Sequence, residues 1–248
     1  MKQTIFTIQE NKQLTETTWR MKLKGDTSEI ISAGQFVNIK LDGYFLRRPI
    51  SVCDVEGDIL TIIYKILGRG TEEMTHFHIG KELDILTGLG NGYDLSLSGD
   101  RPVLIGGGVG IPPLYLAAKR LIAEGRNVKA VLGYNTVDEI YYEEEFREIG
   151  CEVIIATADG SVGVKGFVTD ALQTIAGEDC GYTYFYTCGP EPMLKAVYNA
   201  TKTSGQLSFE ERMGCGFGAC MGCSCKTVTG YKRICKEGPV LRKEEVIW

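Results

Sequence analysis

Cysteine spacing near the C-terminal end of this sequence is suited to holding a metal centre. Four of the nine cysteines, Cys215, Cys220, Cys223 and Cys235, follow the pattern C-x4-C-x2-C-x11-C. The first three match the spacing of plant-type [2Fe–2S] proteins, in which a further cysteine supplies the fourth thiolate. Four glycines between positions 214 and 222 let the loop curl so that its amide groups face the cluster sulfurs. The spacing therefore predicts a [2Fe–2S] site.

Two alternatives to this interpretation are a zinc ribbon and a set of reduced structural thiols. Zinc sites usually have two short cysteine pairs separated by a spacer, which this pattern lacks. The fourth ligand also has two candidates, because Cys225 lies close to Cys223. Cys235 is favoured because it comes from a separate segment, after an expected hairpin at Thr229-Gly230, and can close the cluster from the other side. Cys225 is then expected to be a small buried residue.

A second group of residues, in the first hundred positions, could bind a phosphate-bearing cofactor. Arg48-Pro49-Ile50-Ser51 lies beside an apolar run, and Ile63-Tyr64-Lys65 precedes Gly70-Thr71. The fork of donors on Arg48 can pair with a pyrophosphate. Gly70 and Thr71 can offer backbone amides to a phosphate at the start of a short helix, expected over Glu72 to Phe77. Ordinary turn structure is the alternative for these segments.

Two glycine-containing turns in the middle of the chain could bind a dinucleotide. Gly106, Gly107, Gly108 and Gly110 follow a short apolar strand, and Pro112 stands at the expected start of a helix. The spacing does not fit the fingerprint G-x-G-x-x-G, yet the glycines still let a diphosphate approach the backbone. The second turn, Cys188-Gly189-Pro190, is expected at the same carboxyl edge of the sheet, where ligands of such sheets bind. Ordinary tight turns are the alternative, and no catalytic role is predicted for Cys188.

Three units are needed to position these residues. Residues 1–98 contain short alternating or β-branched runs separated by glycine turns, which predicts an antiparallel β-barrel. Residues 99–204 alternate between strand and helix patterns, which predicts a parallel sheet with helices on both faces. Within this α/β unit we expect helices over Pro112 to Ala123 and Glu139 to Glu148 and a strand over Tyr182 to Tyr186. Residues 205–248 form a tail too small to fold without a metal or a partner.

Composition argues against several other classes of protein. Of the 248 residues, 44% are apolar and 24% are charged, so the chain can bury a substantial core. A net charge of -5 is unlike the basic footprint of a nucleic-acid-binding protein. No run approaches the roughly 18 apolar residues of a membrane span, and the first residues lack the apolar core of a signal peptide. We therefore expect a cytoplasmic protein. The only two histidines, His76 and His78, need no catalytic role.

Together these segments resemble a known family. Arg48 to Ser51 and Gly70-Thr71 are similar to the flavin-binding signature of the ferredoxin–NADP reductase superfamily. The two glycine-containing turns are similar to the nicotinamide-domain signatures of that superfamily. Residues 215–223 and 233–240 closely resemble the cluster domain of the electron transfer subunits of NAD-dependent dihydroorotate dehydrogenase B. The resemblance covers nearly the whole chain in the same order.

The resemblance implies FAD in the first unit, NAD in the second and a [2Fe–2S] cluster in the third. It also implies an FMN-containing catalytic subunit that oxidises dihydroorotate, in a heterotetramer with two copies of each chain. No residue of the present chain is expected to be catalytic. The superfamily has a tyrosine where this chain has Ile50, so aromatic stacking on the flavin does not carry over to this position.

Two other functions fit parts of the sequence. One is the small subunit of a ferredoxin- or sulfide-linked NAD(P) oxidoreductase, a related group in which aspartate replaces the first cluster cysteine; Cys215 favours the dihydroorotate enzyme. The other is a zinc-bearing dinucleotide sensor. We further expect part of the tail to dock a partner subunit. The apolar residues available for that contact are Phe217, Met221, Val240, Val246, Ile247 and Trp248.

The segment after the second strand of the α/β unit predicts a preference for NAD over NADP. Between Gly133 and Phe146 there are five acidic residues and no Lys or Arg. A 2′-phosphate needs a cation at this place, whereas NAD needs only a partner for its ribose hydroxyl.

Overall fold

The computed structural model describes residues 1–175 and 181–248. Cys180 lies outside the described residues. No helix within these two ranges is long and apolar enough to cross a membrane.

The first part of the chain is a closed antiparallel barrel. Its strands are β1 (Lys2–Gln13), β2 (Thr18–Lys24), β3 (Phe36–Ile39), β4 (Arg48–Glu56), β5 (Ile59–Lys65) and β6 (Glu82–Leu89), and a short helix α1 (Arg69–Thr75) follows β5. They close in the order β1-β2-β5-β4-β3-β6, so that no strand has a free edge. Along β6 buried and half-exposed side chains alternate, as period-two strands require. The predicted barrel is confirmed.

The second part is a parallel sheet flanked by helices. Its strands are β7 (Pro102–Gly107), β8 (Lys129–Tyr134), β9 (Glu152–Thr157), β10 (Val164–Lys165), β11 (Tyr184–Cys188) and β12 (Gly205–Ser208). The helices are α2 (Pro112–Ala123), α3 (Glu143–Glu148), α4 (Val168–Ile175) and α5 (Glu191–Ala200). The strands pair in parallel in the order β10-β9-β8-β7-β11-β12. The predicted α/β architecture is confirmed.

The tail adds a hairpin and one more sheet strand. Strands β13 (Ser224–Thr227) and β14 (Gly230–Arg233) form the expected hairpin. Strand β15 (Val240–Arg242) then pairs antiparallel with β12 and becomes the seventh strand of the sheet. Cys223 and Cys235 pack in the same apolar cluster as Phe36 and Leu89 of the barrel. The tail is therefore anchored on both the sheet and the barrel.

Helix α1, expected over Glu72 to Phe77, spans Arg69–Thr75 and so begins three residues earlier. Two further elements differ from the expectation. The helix expected over Glu139 to Glu148 is split, because Tyr142 has a left-handed backbone with φ 66° and α3 begins only after it. This break lets the Tyr142 ring pack edge-on against Tyr115, with centroids 5.1 Å apart. The strand expected over Tyr182 to Tyr186 runs two residues later, so that Cys188 ends β11 instead of beginning the turn. Tertiary packing of aromatic rings decides the break at Tyr142.

Candidate functional site

Arg48 occupies the first position of β4 and lies against the first turn of α1. A Cβ built on Gly70 would be only 2.3 Å from Arg48 Nε, so the guanidinium fills the space that the glycine leaves. Arg48 Nη1 donates to the carbonyl oxygen of Leu46 at 2.5 Å, and its Cζ lies 4.6 Å from the ring centroid of Tyr44. These contacts hold a half-buried cation beside a helix start, an arrangement suited to a pyrophosphate.

The neighbouring Arg47 has a different environment. Its Nη2 lies 3.0 Å from Oδ1 of Asp84 in β6, and its Nη1 donates to the Asp84 carbonyl oxygen at 2.9 Å. Arg47 Nη1 also donates to the Asn38 carbonyl oxygen of β3 at 3.3 Å, so Arg47 braces two barrel strands, whereas Arg48 lies against α1.

Four other predicted flavin-binding residues lie close to Arg48 in β4 or in the first turn of α1. Pro49, Ile50 and Ser51 are half-buried in β4, and Ile50 packs against the barrel core. The Thr71 hydroxyl accepts a hydrogen bond from the Leu67 amide at 2.9 Å and donates to the Gly68 carbonyl oxygen at 3.1 Å. Thr71 thus shapes the loop before α1, and its side-chain oxygen is already engaged.

The three residues at the end of β5 point in different directions. Tyr64 is 2% exposed and donates its hydroxyl to Asn11 Oδ1 at 2.9 Å, and burial raises the pKa of this phenol. Ile63 is also buried, at 4% exposure. Lys65 instead lines a cleft between the barrel and the sheet, opposite Gly108. Among these three, Lys65 is the residue that is only half-buried and lines this narrow cleft.

The two glycine-containing turns lie side by side. Gly106 in β7 pairs with Cys188 in the adjacent parallel strand β11, and Pro112 opens α2 as predicted. A Cβ on Gly110 would lie 2.2 Å from the Cys188 carbonyl oxygen and 2.6 Å from the Gly189 amide nitrogen. The two turns that were predicted to lie at one edge of the sheet are therefore in contact. This contact is possible because Gly110 has no side chain.

Burial raises the pKa of the Cys188 thiol to about 12, against a smaller opposing effect of the Ser208 hydroxyl. The thiol is therefore protonated near neutral pH.

Met193 is a residue at this edge that the sequence reasoning missed. Its Sδ lies 2.4 Å from the position of a Cβ on Gly107, and its Cε lies 2.6 Å from that of a Cβ on Gly189. The thioether thus covers both turns. Its position in the sequence, three residues after Pro190 and in the first turn of α5, could have indicated that it lies next to the turn. A methionine side chain is flexible enough to move aside for a dinucleotide.

The four predicted cluster ligands form two pairs of thiols. Cys215 Sγ accepts hydrogen bonds from the amides of Ala219 at 3.2 Å and Cys220 at 3.4 Å. Against the effect of burial, such amides lower the pKa of Cys215 to about 6. Cys223 and Cys235 form the second pair, in which the Cys235 amide donates to Cys223 Sγ at 3.4 Å. Burial, together with Cys223, raises the pKa of Cys235 to about 12.

This pairing suits a two-iron cluster. In a [2Fe–2S] cluster each iron takes two protein ligands, whereas a zinc ion gathers four around one point. Cys225 pairs across the hairpin with Lys232 and lines a groove with Phe209 and Trp248. The geometry therefore favours Cys235 over Cys225 as the fourth ligand.

Arg233 ties the two ligand segments together. Its Nη1 donates to the Gly218 carbonyl oxygen at 2.7 Å, and its Nε donates to Glu237 Oε2 at 2.9 Å. The same guanidinium lowers the pKa of Glu237 to about 2. The loop that carries Cys215 and Cys220 is thus fixed to the segment that carries Cys235.

The cluster loop contacts β3, the barrel strand that pairs with β4 and its predicted flavin-binding residues. Asn38 Nδ2, in β3, donates to the Cys215 carbonyl oxygen at 3.4 Å. Asn38 is also the residue opposite Pro49 in the β3–β4 pair. The sequence reasoning missed Asn38, although a polar residue inside the apolar run Phe-Val-Asn-Ile was a visible signal.

Comparison with known proteins gives two family matches. Residues 210–247 match the iron–sulfur cluster binding domain of dihydroorotate dehydrogenase B, and residues 104–199 match the oxidoreductase NAD-binding domain. The dihydroorotate dehydrogenase B (NAD(+)) electron transfer subunit of Fusobacterium nucleatum is 44% identical, over 97% of this chain and 96% of that protein. The protein of the same name from Bacillus pumilus is 41% identical, over 99% of this chain and 98% of that protein.

Solved structures share the fold. An NADH-dependent reduced ferredoxin-NADP oxidoreductase structure superimposes with a TM-score of 0.88 at 30% identity, covering 98% of this chain and 90% of that chain. A ferredoxin NADP+ reductase from Neisseria gonorrhoeae, solved with bound FAD and NADP, has a TM-score of 0.69 at 19% identity. It covers 81% of this chain and 90% of that chain, a likeness of fold alone.

Proposed function

The chain belongs to the family of dihydroorotate dehydrogenase B electron transfer subunits, and from this membership we propose the route that its electrons take. It is an NAD-linked oxidoreductase subunit that uses FAD and an iron–sulfur cluster. Electrons enter at the cluster from the FMN of a dihydroorotate-oxidising partner, pass to FAD and leave to NAD. When bound, the cluster carries single electrons and the flavin pairs them for the two-electron nicotinamide.

The contact between the cluster loop and the barrel is the observation that carries this route. A one-electron carrier must lie close to the flavin that it serves, and Cys215 rests on β3, the strand paired with the flavin signature in β4. We assign FAD to Arg48, Pro49, Ile50, Ser51, Ile63, Tyr64, Lys65, Gly70 and Thr71, with Tyr64 acting through its backbone. We assign NAD to Gly106, Gly107, Gly108, Gly110, Pro112, Cys188, Gly189 and Pro190, and the cluster to Cys215, Cys220, Cys223 and Cys235.

The exposed face of the cluster loop is the proposed docking surface for the partner. Cys220 is exposed there, beside Phe217 at 43% and Met221 at 55% exposure. Two of the residues expected at this surface do not belong to it, because Val240 and Val246 are buried at 4% and 8% exposure. Apolar side chains around an exposed ligand fit a partner that brings its own redox centre close to the cluster.

We further propose that the functional units are residues 1–98, 99–204 and 205–248, and that the subunit acts in the cytoplasm within a heterotetramer. The first two units coincide with the barrel and most of the sheet. The third contributes β12 and β15 to the sheet, so strand pairing joins it to the second unit.

Reconstitution tests the proposed route. The isolated chain should oxidise NADH with dyes but should not turn over dihydroorotate, and adding the FMN subunit should give dihydroorotate-dependent reduction of NAD. Cys220→Ser should abolish that transfer while sparing NADH-dependent dye reduction. Cys225→Ser is the matched control and should transfer electrons normally.

Dihydroorotate oxidation by the isolated chain, or normal transfer in the Cys220 variant, would refute the route. A complex that accepts electrons only from ferredoxin or sulfide would support the related oxidoreductase instead.

A further inference from the structure

The side chain of Asn38 is buried at the junction between the barrel and the cluster loop. It is 1% exposed, and its Nδ2 donates to the carbonyl oxygen of Cys215 at 3.4 Å. Its Oδ1 is buried without a hydrogen-bond partner in the described structure. A buried, unpartnered polar atom costs free energy of folding, so an apolar side chain of similar size would suit the barrel wall better. Stability alone therefore does not explain an amide at this position.

The packing of β3 directs this amide at the cluster loop. Val37 and Ile39 belong to the barrel core, whereas Phe36 packs with Cys223 and Cys235 of the tail. Because side chains alternate along a strand, Asn38 faces the tail together with Phe36.

The cluster loop is shaped around the same amide. A Cβ on Gly216 would lie 2.4 Å from Asn38 Nδ2, and Gly216 also has a left-handed backbone with φ 78°. Both features require glycine immediately after the first cluster ligand. The loop backbone at Gly216 therefore lies directly against the Asn38 amide.

The same residue is also joined to the flavin-signature strand. Asn38 stands opposite Pro49 in the β3–β4 pair, and its carbonyl oxygen accepts a hydrogen bond from Arg47 Nη1 at 3.3 Å. The backbone of Pro49 is therefore connected to the backbone of Cys215 through the β3–β4 strand pairing and the side chain of Asn38.

We propose that Asn38 is a positioning residue that raises the reduction potential of the cluster and sets its electronic coupling to the flavin. This inference rests on the proposed function. The step concerned moves one electron between the two centres and forms or breaks no bond. A hydrogen bond donated to the peptide of a ligand residue draws electron density from that ligand and stabilises the extra negative charge of the reduced cluster.

The test uses the assembled complex and measures the cluster potential by an EPR-monitored redox titration. Asn38→Leu keeps the size but loses the donor, and it should shift the reduction equilibrium about fivefold, which is about 40 mV lower for a one-electron couple. Asn38→Asp also loses the donor and adds negative charge, so its potential should be lower still. Asn38→Ser keeps a hydroxyl donor and should recover part of the shift.

Asn91→Leu is the matched control. The Asn91 amide also ties the tail to the barrel side, and among the described residues its side-chain hydrogen bonds go to Val240 and Glu237, which are not cluster ligands. This variant should keep the wild-type potential even if the tail docks less tightly. In stopped-flow experiments, NADH should reduce the flavin of Asn38→Leu at the wild-type rate, and reduction of the cluster should follow more slowly.

An unchanged potential in Asn38→Leu, or an equal shift in Asn91→Leu, overturns the inference. If Asn38→Leu does not load its cluster, the Asn38→Ser and Asn38→Asp variants decide. The inference requires that the reduction potential of the cluster falls from wild type to Asn38→Ser and falls further in Asn38→Asp; any other order overturns it. Dihydroorotate-to-NAD transfer by the wild-type complex is measured separately. Failure of that transfer would contradict the proposed function, whereas normal transfer with unchanged variant potentials would contradict only the role of Asn38.

Discussion

Replacing Arg48 with alanine should release FAD far more readily than replacing Arg69. The Arg48 guanidinium is half-buried between the ring of Tyr44, the carbonyl of Leu46 and the backbone of Gly70. Arg69 is only one residue away from Gly70 but is exposed at the start of α1. Each variant removes one positive charge from the same part of the barrel. A difference in FAD retention between them therefore reflects where the guanidinium lies and not the loss of charge alone.

The expected size follows from the type of contact. A charge-assisted hydrogen bond from a half-buried guanidinium to a phosphate contributes about 2 kcal/mol, which corresponds to about a 30-fold weaker Kd for FAD. Loss of the exposed Arg69 charge removes only a screened interaction, worth less than about 1 kcal/mol and so less than about fivefold in Kd.

Gly70→Ala provides a second perturbation of the same contact. The new Cβ would lie 2.3 Å from Arg48 Nε and would push the guanidinium from its place without removing its charge. Flavin binding should therefore weaken in this variant as well. Because both changes act through one contact, the double variant Arg48→Ala/Gly70→Ala should bind FAD about as weakly as Arg48→Ala alone. Gly68→Ala is the control, since its backbone is extended at φ 172° and nothing lies within 4 Å of its Cβ position.

Flavin content after desalting and the Kd from absorbance titration of the deflavinated protein measure these effects. Thermal unfolding of the flavin-free variants checks that the barrel is intact. Equal flavin content in Arg48→Ala and Arg69→Ala would refute the assignment of Arg48. Additive losses in the double variant would show that Gly70 acts on FAD independently of Arg48.

Three further predictions concern the nucleotide turns and the tail. The kcat/KM for NADH should exceed that for NADPH, because the acidic segment from Gly133 to Phe146 contains no Lys or Arg for a 2′-phosphate, and Glu139 in it accepts a hydrogen bond from Asn135 Nδ2 at 2.8 Å. Comparable values of kcat/KM in steady-state dye reduction would contradict this prediction. Gly110→Ala should slow NADH-dependent dye reduction about tenfold or more at unchanged flavin content, since its Cβ would meet the Cys188 carbonyl and separate the two turns; a wild-type rate would show that the turns need not touch. Removal of iron by a chelator should speed amide hydrogen exchange in residues 214–223, whereas the amide of Leu241 in β15 should stay protected because Leu241 pairs with Leu207 of β12. Loss of protection at Leu241 would mean that the cluster, and not the sheet, holds the tail.

Much of this molecule could be predicted from local pattern. The antiparallel barrel follows from period-two runs and glycine turns, and the parallel sheet follows from alternating strands and helices, because hydrophobic periodicity is a property of neighbouring residues. The spacing of Cys215, Cys220 and Cys223 is informative for a similar reason, since a curled loop can present thiolates to one cluster only at certain separations.

Contacts between residues far apart in the chain were decided only by the tertiary structure. Asn38 and Cys215 are separated by 177 positions, and no local pattern relates them. The pairing of Cys223 with Cys235, the cover that Met193 forms over Gly107 and Gly189, and the addition of β15 to the sheet are of the same kind. The sequence determined which residues could bind flavin, nucleotide and cluster. The packing of the tail against the barrel makes the proposed flavin and cluster sites neighbours, because only the folded chain brings β3 and the cluster loop into contact.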